Sequence, residues 1–204
     1  MLPIVATDMF QVRIHGRGGQ GVVTAAELLS VAAFIEGRQA QAFPSFGSER
    51  TGAPVVSFCR IAEAPIRTRE PIATPDALII QDATLLHQAD LFAGLRKDGY
   101  VLINSSRSPE SLGLQALSHD FQSDRIRSVP ATEMALERMG RPVPNTVLLG
   151  GFAALTGVVS LASVQEAIRG RFTGPVGEAN VAAASDAYDY VCRHMEAYVG
   201  APSD

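Results

Sequence analysis

Phe10-Gln-Val-Arg-Ile-His-Gly-Arg-Gly-Gly-Gln-Gly21, continued by the apolar run Val22 to Glu36, decides the fold. From Phe10 to His15 apolar and polar residues alternate, a period of two that predicts a strand with one packed face and one polar face. From Val22 to Glu36 the spacing changes: Ala25, Leu28, Leu29, Ala32, Ala33 and Ile35 recur at helical intervals. Between the two lies Gly16-x-Gly18-x-x-Gly21, a GxGxxG turn in the strand-to-helix context that gives the motif meaning. Peptide N–H groups and the helix dipole at such a turn favour a phosphate or another anion, and Arg17 stands ready to neutralise it. The same glycines also serve a plain tight turn, in which Gly18 is expected to take a positive φ. These residues alone leave both readings open.

Working outward, Gly37 closes the helix as a C′ residue in the left-handed region, and Arg38 to Phe43 reads as a second strand. A dinucleotide fold expects an acid at the end of that strand for the ribose hydroxyls, and Gln39-Ala-Gln-Ala-Phe43 has none. Glu36 is nearer in count, but it falls at the helix end, pointing to solvent or to a partner. The loop Phe43-Pro-Ser-Phe-Gly-Ser-Glu-Arg-Thr-Gly-Ala-Pro54 combines two aromatic anchors, Phe43 and Phe46, with the guanidinium fork of Arg50, suited to a carboxylate or phosphate. The alternative is a Glu49–Arg50 surface pair of small energetic worth.

Further strands are predicted at Val55–Ile61, Ala77–Ile80, Tyr100–Ile103 and, as an edge, Ile126–Val129. Pro65 and Pro71 bracket an irregular segment, Leu85–Leu95 reads as an amphipathic helix, and Ser105–Ser111 as a loop. The last third is helical, over Thr132–Met139, Asn145–Val159, Ser163–Arg169 and Glu178–Tyr198, with Asn145 and Ser163 as N-caps. The pattern predicts a single α/β domain over residues 1–204: three α/β/α layers, a mostly parallel sheet and a helical C-terminal third. Asn145–Val159 has little polar face, so it is either a core helix or covered by another subunit.

With 204 residues, 47% hydrophobic and 19% charged, the chain is neither disordered nor collagen-like. A net charge of −4 argues against nucleic acid. The N-terminus lacks the basic region of a secretory signal, and no apolar run reaches membrane-spanning length, so the expectation is a cytoplasmic protein without membrane contact. Two cysteines, Cys59 and Cys192, offer no disulfide framework, CxxC motif or Cys/His cluster, so no metal is expected on this chain alone. The four histidines, at 15, 87, 119 and 194, do not cluster, and His15 reads as a polar-face strand residue. Cys59, in an apolar strand, reads as an inert core thiol.

The stretches Gly16–Leu29 and Ala40–Pro54, with Pro75-Asp76 and Ile103-Asn104, resemble the gamma subunit of the 2-oxoacid:acceptor oxidoreductases, best known from the pyruvate:ferredoxin enzyme. The resemblance covers nearly the whole chain and is densest over residues 14 to 54. It implies a non-catalytic subunit of a complex that cleaves a 2-oxoacid on thiamine pyrophosphate with Mg, passes electrons through [4Fe-4S] clusters to ferredoxin or NAD, and releases an acyl-coenzyme A. Those cofactors would belong to partners: thiamine-binding alpha and beta subunits and a ferredoxin-like cluster subunit.

By position, the resemblance puts Gly16, Gly18, Gly19, Gln20 and Gly21 at a turn facing a phosphate or partner. It puts Ser45, Phe46, Gly47, Glu49 and Arg50 on a loop toward the coenzyme A side of the shared site, Arg50 as anion contact and Phe46 as hydrophobic anchor. It also implies a separate subunit with apolar surface left for an interface. The competing readings are a self-contained nucleotide-binding module or NAD-dependent dehydrogenase and, within the family, the small subunit of an arylpyruvate or arylglyoxylate enzyme.

Overall fold

In the computed structural model of the chain, residues 9–45, 52–88, 91–114 and 121–199 are described. The alternating segment forms β1 (Phe10–Arg17), and the remaining strands are β2 (Gln39–Pro44), β3 (Pro54–Ala62), β4 (Ala77–Ile80), β5 (Tyr100–Asn104) and β6 (Ile126–Val129). They make one sheet in the order β2-β3-β1-β4-β5-β6. β1, β4, β5 and β6 pair in parallel, while β3 is antiparallel to both of its neighbours. Every strand except β3 therefore runs the same way, and the carboxyl ends of β1, β2, β4, β5 and β6 share one edge.

The helices are α1 (Val22–Ile35), α2 (Ala131–Met139), α3 (Asn145–Thr156), α4 (Leu161–Arg171) and α5 (Gly174–Val199). All five pack into one core with Val12, Ile14, Ile61, Ile79 and Leu102, the residues on one face of the sheet. The opposite face carries Leu78, Ile80, Val101, Ile103 and Ile126, which pack with Leu85, Leu91, Leu95 and Leu114. Among the described residues its cover is made of short turns, which form the third layer.

The amphipathic stretch Leu85–Leu95 does not form the predicted helix: it begins within a 3₁₀ turn, Ala83–His87, and continues as turn from Leu91, with residues 89–90 outside the described residues. Its leucines bury themselves from i→i+3 turns, with the Leu95 N–H donating to the Phe92 carbonyl. Gly94 sits at φ 74° against the Ala73 carbonyl, where a Cβ would overlap the oxygen.

The apolar helix α3 is a core helix of this chain, with Asn145 to Ala153 all buried. Gly150 lets it approach α5 so closely that a Cβ would overlap the Ala184 carbonyl. α3 stops at Thr156, before the predicted Val159, because Gly157 turns left-handed at φ 63°. Its cap position is Pro144, and Asn145 is its first residue.

α4 is capped by Ser160, whose Oγ accepts from the N–H of Ser163 at 3.1 Å; Ser163 is thus the capped residue, not the cap. α5 starts four residues before the predicted Glu178, at Gly174. Gly37 takes the expected left-handed conformation, φ 81°. Glu36 is exposed, as expected, but its carboxylate is engaged within the chain: its Oε1 accepts from the Ser160 N–H (2.7 Å) and the Ser163 hydroxyl (2.6 Å), tying the end of α1 to the start of α4. No helix among the described residues is long and apolar enough to cross a membrane.

Candidate functional site

At the carboxyl edge, the chain leaves β1 through α1 toward β2 and β3, and leaves β4 in the opposite direction toward β5. The crevice between β1 and β4 is therefore a topological switch point, where open α/β sheets receive ligands. The glycine turn fills one side of it. Positive φ falls on Gly19 (95°) and Gly21 (73°), not on the expected Gly18. Gly18 instead extends the sheet: its N–H donates to the Ala53 carbonyl at 2.9 Å, and its carbonyl accepts from the Gly52 N–H at 3.1 Å. Gly16 has no room for a Cβ beside Val22, and one on Gly21 would overlap the Asn145 amide.

The other side is the turn after β4, headed by Asp82. Its Oδ1 accepts from the Thr84 N–H (2.9 Å) and hydroxyl (2.6 Å), and its Oδ2 from Gln20 Nε2 (3.1 Å) and Arg17 Nε (3.0 Å). Burial raises the Asp82 pKa, but the two Thr84 hydrogen bonds, the Gln20 amide and the Arg17 charge outweigh it and hold the carboxyl below its usual range. The rest of the Arg17 fork donates to the Thr84 hydroxyl (2.7 Å) and the Gly52 carbonyl (3.1 Å). Arg17 is thus occupied inside the chain, against the expectation that it neutralises a bound phosphate. Gln20 is occupied as well, its Oε1 accepting from the Arg17 N–H at 2.8 Å.

Two clefts flank the glycine turn, and Gly19 and Gly21 line both. The smaller, about 300 Å³, lies toward Val55 at the start of β3. The larger, about 590 Å³, lies toward the C-terminal helices and is lined by Arg138, Arg141, Arg171, Asn145 and Phe172. No acidic side chain lines it among the described residues. The first residues of α3 and α5 and the cap of α1 open onto it, so three positive helix ends meet there. Arg138 is engaged by the Asp186 carboxylate at 2.6 Å. Arg171 lies over the Phe172 ring at 5.6 Å. In an acidic chain this is a cationic cleft with an apolar wall.

The structure thus brings Gly16, Gly18, Gly19, Gln20 and Gly21 together at the switch point. Ser45 sits on the same edge but one strand away, exposed, its N–H donating to the Val56 carbonyl at 2.8 Å. Phe46, Gly47, Glu49 and Arg50 lie outside the described residues. Phe43 is an anchor as expected, its ring 5.1 Å from that of Phe58 and Arg60 over it at 5.2 Å. Sequence reasoning did not pick out Thr84, Arg141 or Arg171 and gave Asp82 no role. These residues carry no motif of their own, and their neighbourhood exists only once β4 lies beside β1 and the helical third folds back over α1.

The dinucleotide reading fails on topology. β2 is separated from β1 by the reversed β3 and contains no acid, so no carboxylate stands where a ribose would lie.

A switch-point crevice with a glycine turn and a cationic cleft beside it defines an open α/β domain with a candidate anion site. The chain belongs to the pyruvate ferredoxin/flavodoxin oxidoreductase family, which it matches over residues 11–190. It is 47% identical over 181 residues to the pyruvate/ketoisovalerate oxidoreductases common subunit gamma of Pyrococcus abyssi, covering 89% of this chain and 96% of that one. The crystal structure of pyruvate oxidoreductase subunit PORC from Thermotoga maritima superposes with a TM-score of 0.75 at 35% identity, covering 89% and 96% of the two chains. A 2-oxoglutarate:ferredoxin oxidoreductase from Magnetococcus marinus, with 2-oxoglutarate, coenzyme A and succinyl-CoA bound, shares the fold. Its TM-score is 0.68 at 16% identity, covering 91% of this chain and 31% of that one. This chain is accordingly a gamma-type subunit of a 2-oxoacid:ferredoxin oxidoreductase complex.

Proposed function

We propose that this subunit closes the coenzyme A side of a 2-oxoacid oxidoreductase, its cationic cleft taking the phosphate-bearing end of coenzyme A. The observation that carries the reading is the cleft lined by Arg141 and Arg171, with Arg138 held by Asp186 at its wall, no lining carboxylate among the described residues and three helix N-termini opening onto it. Its Phe172 wall suits the base of a nucleotide, and the glycine turn at its rim suits the pyrophosphate. In this reading Gly16, Gly18, Gly19, Gln20 and Gly21 border the ligand, and the loop carrying Ser45, Phe46, Gly47, Glu49 and Arg50 reaches toward the shared site. A 2-oxoglutarate:ferredoxin oxidoreductase of the same fold has coenzyme A bound, which supports coenzyme A as the class of ligand.

In this reading the thiamine pyrophosphate with its Mg and the [4Fe-4S] clusters belong to alpha, beta and ferredoxin-like partner subunits of a cytoplasmic complex, with ferredoxin or NAD as the acceptor. Among the described residues no three His, Cys, Asp or Glu side chains converge to hold a metal. Cys59 is buried, and burial pushes its thiol up to about 12, far from the thiolate a cluster needs. When bound in the complex, thiamine supplies the carbon–carbon cleavage chemistry. The residues of this chain bind, orient and enclose. Val31, Phe34 and Ile35 form an exposed apolar stripe at i, i+3, i+4 on α1, with Phe34 71% exposed, and offer surface to a partner subunit.

The test is kinetic. In the assembled complex Arg141→Glu with Arg171→Glu is expected to raise the coenzyme A KM at least tenfold while leaving the 2-oxoacid KM and the iron–sulfur absorbance unchanged. An unchanged coenzyme A KM would remove the cleft from the reading. A tagged chain that purifies colourless and without partners would remove the complex.

A further inference from the structure

The glycine turn, the turn after β4 and the start of β3 come from three separate parts of the sequence, yet one carboxylate ties them together. Asp82 receives four donors, two from Thr84 and one each from Gln20 and Arg17. An exposed Asp–Arg pair would be worth little, but here the Asp82 side chain is only 15% exposed and that of Arg17 33%. The Thr84 hydroxyl donates to Asp82 and accepts from Arg17 Nη2, so its one proton fixes the direction of that part of the network. The third arm of Arg17 reaches the Gly52 carbonyl. The Gly52 N–H in turn bonds Gly18.

Gln20 bridges as well, its carbonyl oxygen holding the Arg17 N–H while its amide holds Asp82. Without the carboxylate, Arg17 and Gln20 lose the acceptor they share. Arg17 would then hold the end of β4 through the Thr84 hydroxyl alone, and Gln20 would have no tie to it. Both clefts have Gly19 and Gly21 in their walls, so the network sets the shape of both mouths without lining the larger one.

We propose that Asp82 is the positioning residue of this site: acting through Arg17 and Gln20, it fixes the glycine turn and the start of β3 in the geometry that receives the ligand. It touches no ligand itself. The proposal rests on the coenzyme A reading only for its kinetic consequence; its structural consequence stands apart from that reading.

Asp82→Asn keeps the size of the side chain and an oxygen for Thr84 but removes the charge that orients Arg17. In the full chain, hydrogen exchange at the Gly18 and Gly52 amides is expected to quicken at least tenfold, with β4 and β5 unchanged. In the complex, the coenzyme A KM is expected to rise about fivefold with kcat and the 2-oxoacid KM held, and Arg17→Met should do the same. Asp82→Asn with Arg17→Met together should be no worse than either alone, since one residue acts through the other.

Unchanged exchange at Gly18 and Gly52 would overturn the proposal whatever the kinetics. Effects of the two variants that simply add would overturn the coupling on which it depends. Faster exchange with an unchanged coenzyme A KM would keep Asp82 as a structural tie and overturn its role in ligand geometry, provided the Arg141→Glu, Arg171→Glu complex shows the expected KM rise. If that complex shows none, the coenzyme A reading has failed and not the tie.

Discussion

The two faces of the sheet solve burial differently. On the helical face Val12, Ile14, Ile61 and Leu102 meet five helices rich in alanine and glycine, and the packing is backbone against backbone where Gly150 meets α5. On the outer face β1 and β3 contribute Arg13, His15 and Arg60, each no more than 9% exposed, under a cover that among the described residues is made of turns. Arg13 Nη2 donates to the Leu91 carbonyl at 2.9 Å, and Arg60 reaches the Glu70 carbonyl and Gln11 Oε1. The alternation in β1 holds in register, but its polar side is buried as well. Regular helices can cover only an apolar face, because their backbone groups are already paired. A cover of turns has free carbonyls to offer, and buried guanidinium groups use them.

The sharpest test of that contrast is Gly150→Ala. A single methyl group would press on the Ala184 backbone, which cannot yield as a side chain can, and the expected loss is about 3 kcal/mol in a denaturant titration. A loss within a few tenths would show that the two helices have slack and that the helical face is not packed on its backbone.

Next in size is the acid response of the outer face. Burial, with the nearby Arg13 charge adding to it, pushes the His15 pKa down to about 4 from 6.5. Its folded value lies below its unfolded one, so the unfolded chain takes up the proton first. The stabilisation is full above pH 6.5 and drains away as pH falls toward 4, reaching about 3 kcal/mol. His15→Leu should remove that share of the acid loss from melting curves recorded between pH 6.5 and 4. A variant that follows the wild-type slope would place His15 in contact with water.

The smallest effect falls at the seam where the two faces meet the glycine turn. Gly19→Ala should cost about 1 to 2 kcal/mol from its positive φ alone, since no atom lies within 4 Å of a Cβ built there. Gly18→Ala should cost less, because its φ is not positive. The reverse order in thermal melts would mean that the turn adopts a different conformation in solution.

Much of this was legible in the residues. The switch from a period of two at Phe10–His15 to helical spacing after Val22 located β1, the glycine turn and α1. The continuous apolar runs located β4 and β5, and the lack of an acid in Gln39–Phe43 argued against the dinucleotide reading, as the position of β3 between β1 and β2 does. Leu85–Leu95 was misread because the spacing of buried leucines does not distinguish a helix from successive 3₁₀ turns. What differs is the neighbour, Ala73 against Gly94, and that contact is tertiary. The partners of Glu36 were out of reach for the same reason, since Ser160 and Ser163 lie more than 120 residues away.

The sequence by itself determined the elements and the chemistry on offer at the turn, because periodicity and glycine conformations are local properties of the backbone. It also carried the family, through the density of residues 14 to 54. Only the tertiary structure decided that Arg17 answers Asp82 rather than a ligand, that the cations of the site are Arg138, Arg141 and Arg171 from the helical third, and that β3 separates β1 from β2. Each of these depends on which strands become neighbours and where the last helices return. That choice is made by the burial of whole faces against one another, a sum over distant residues that no single stretch of sequence contains.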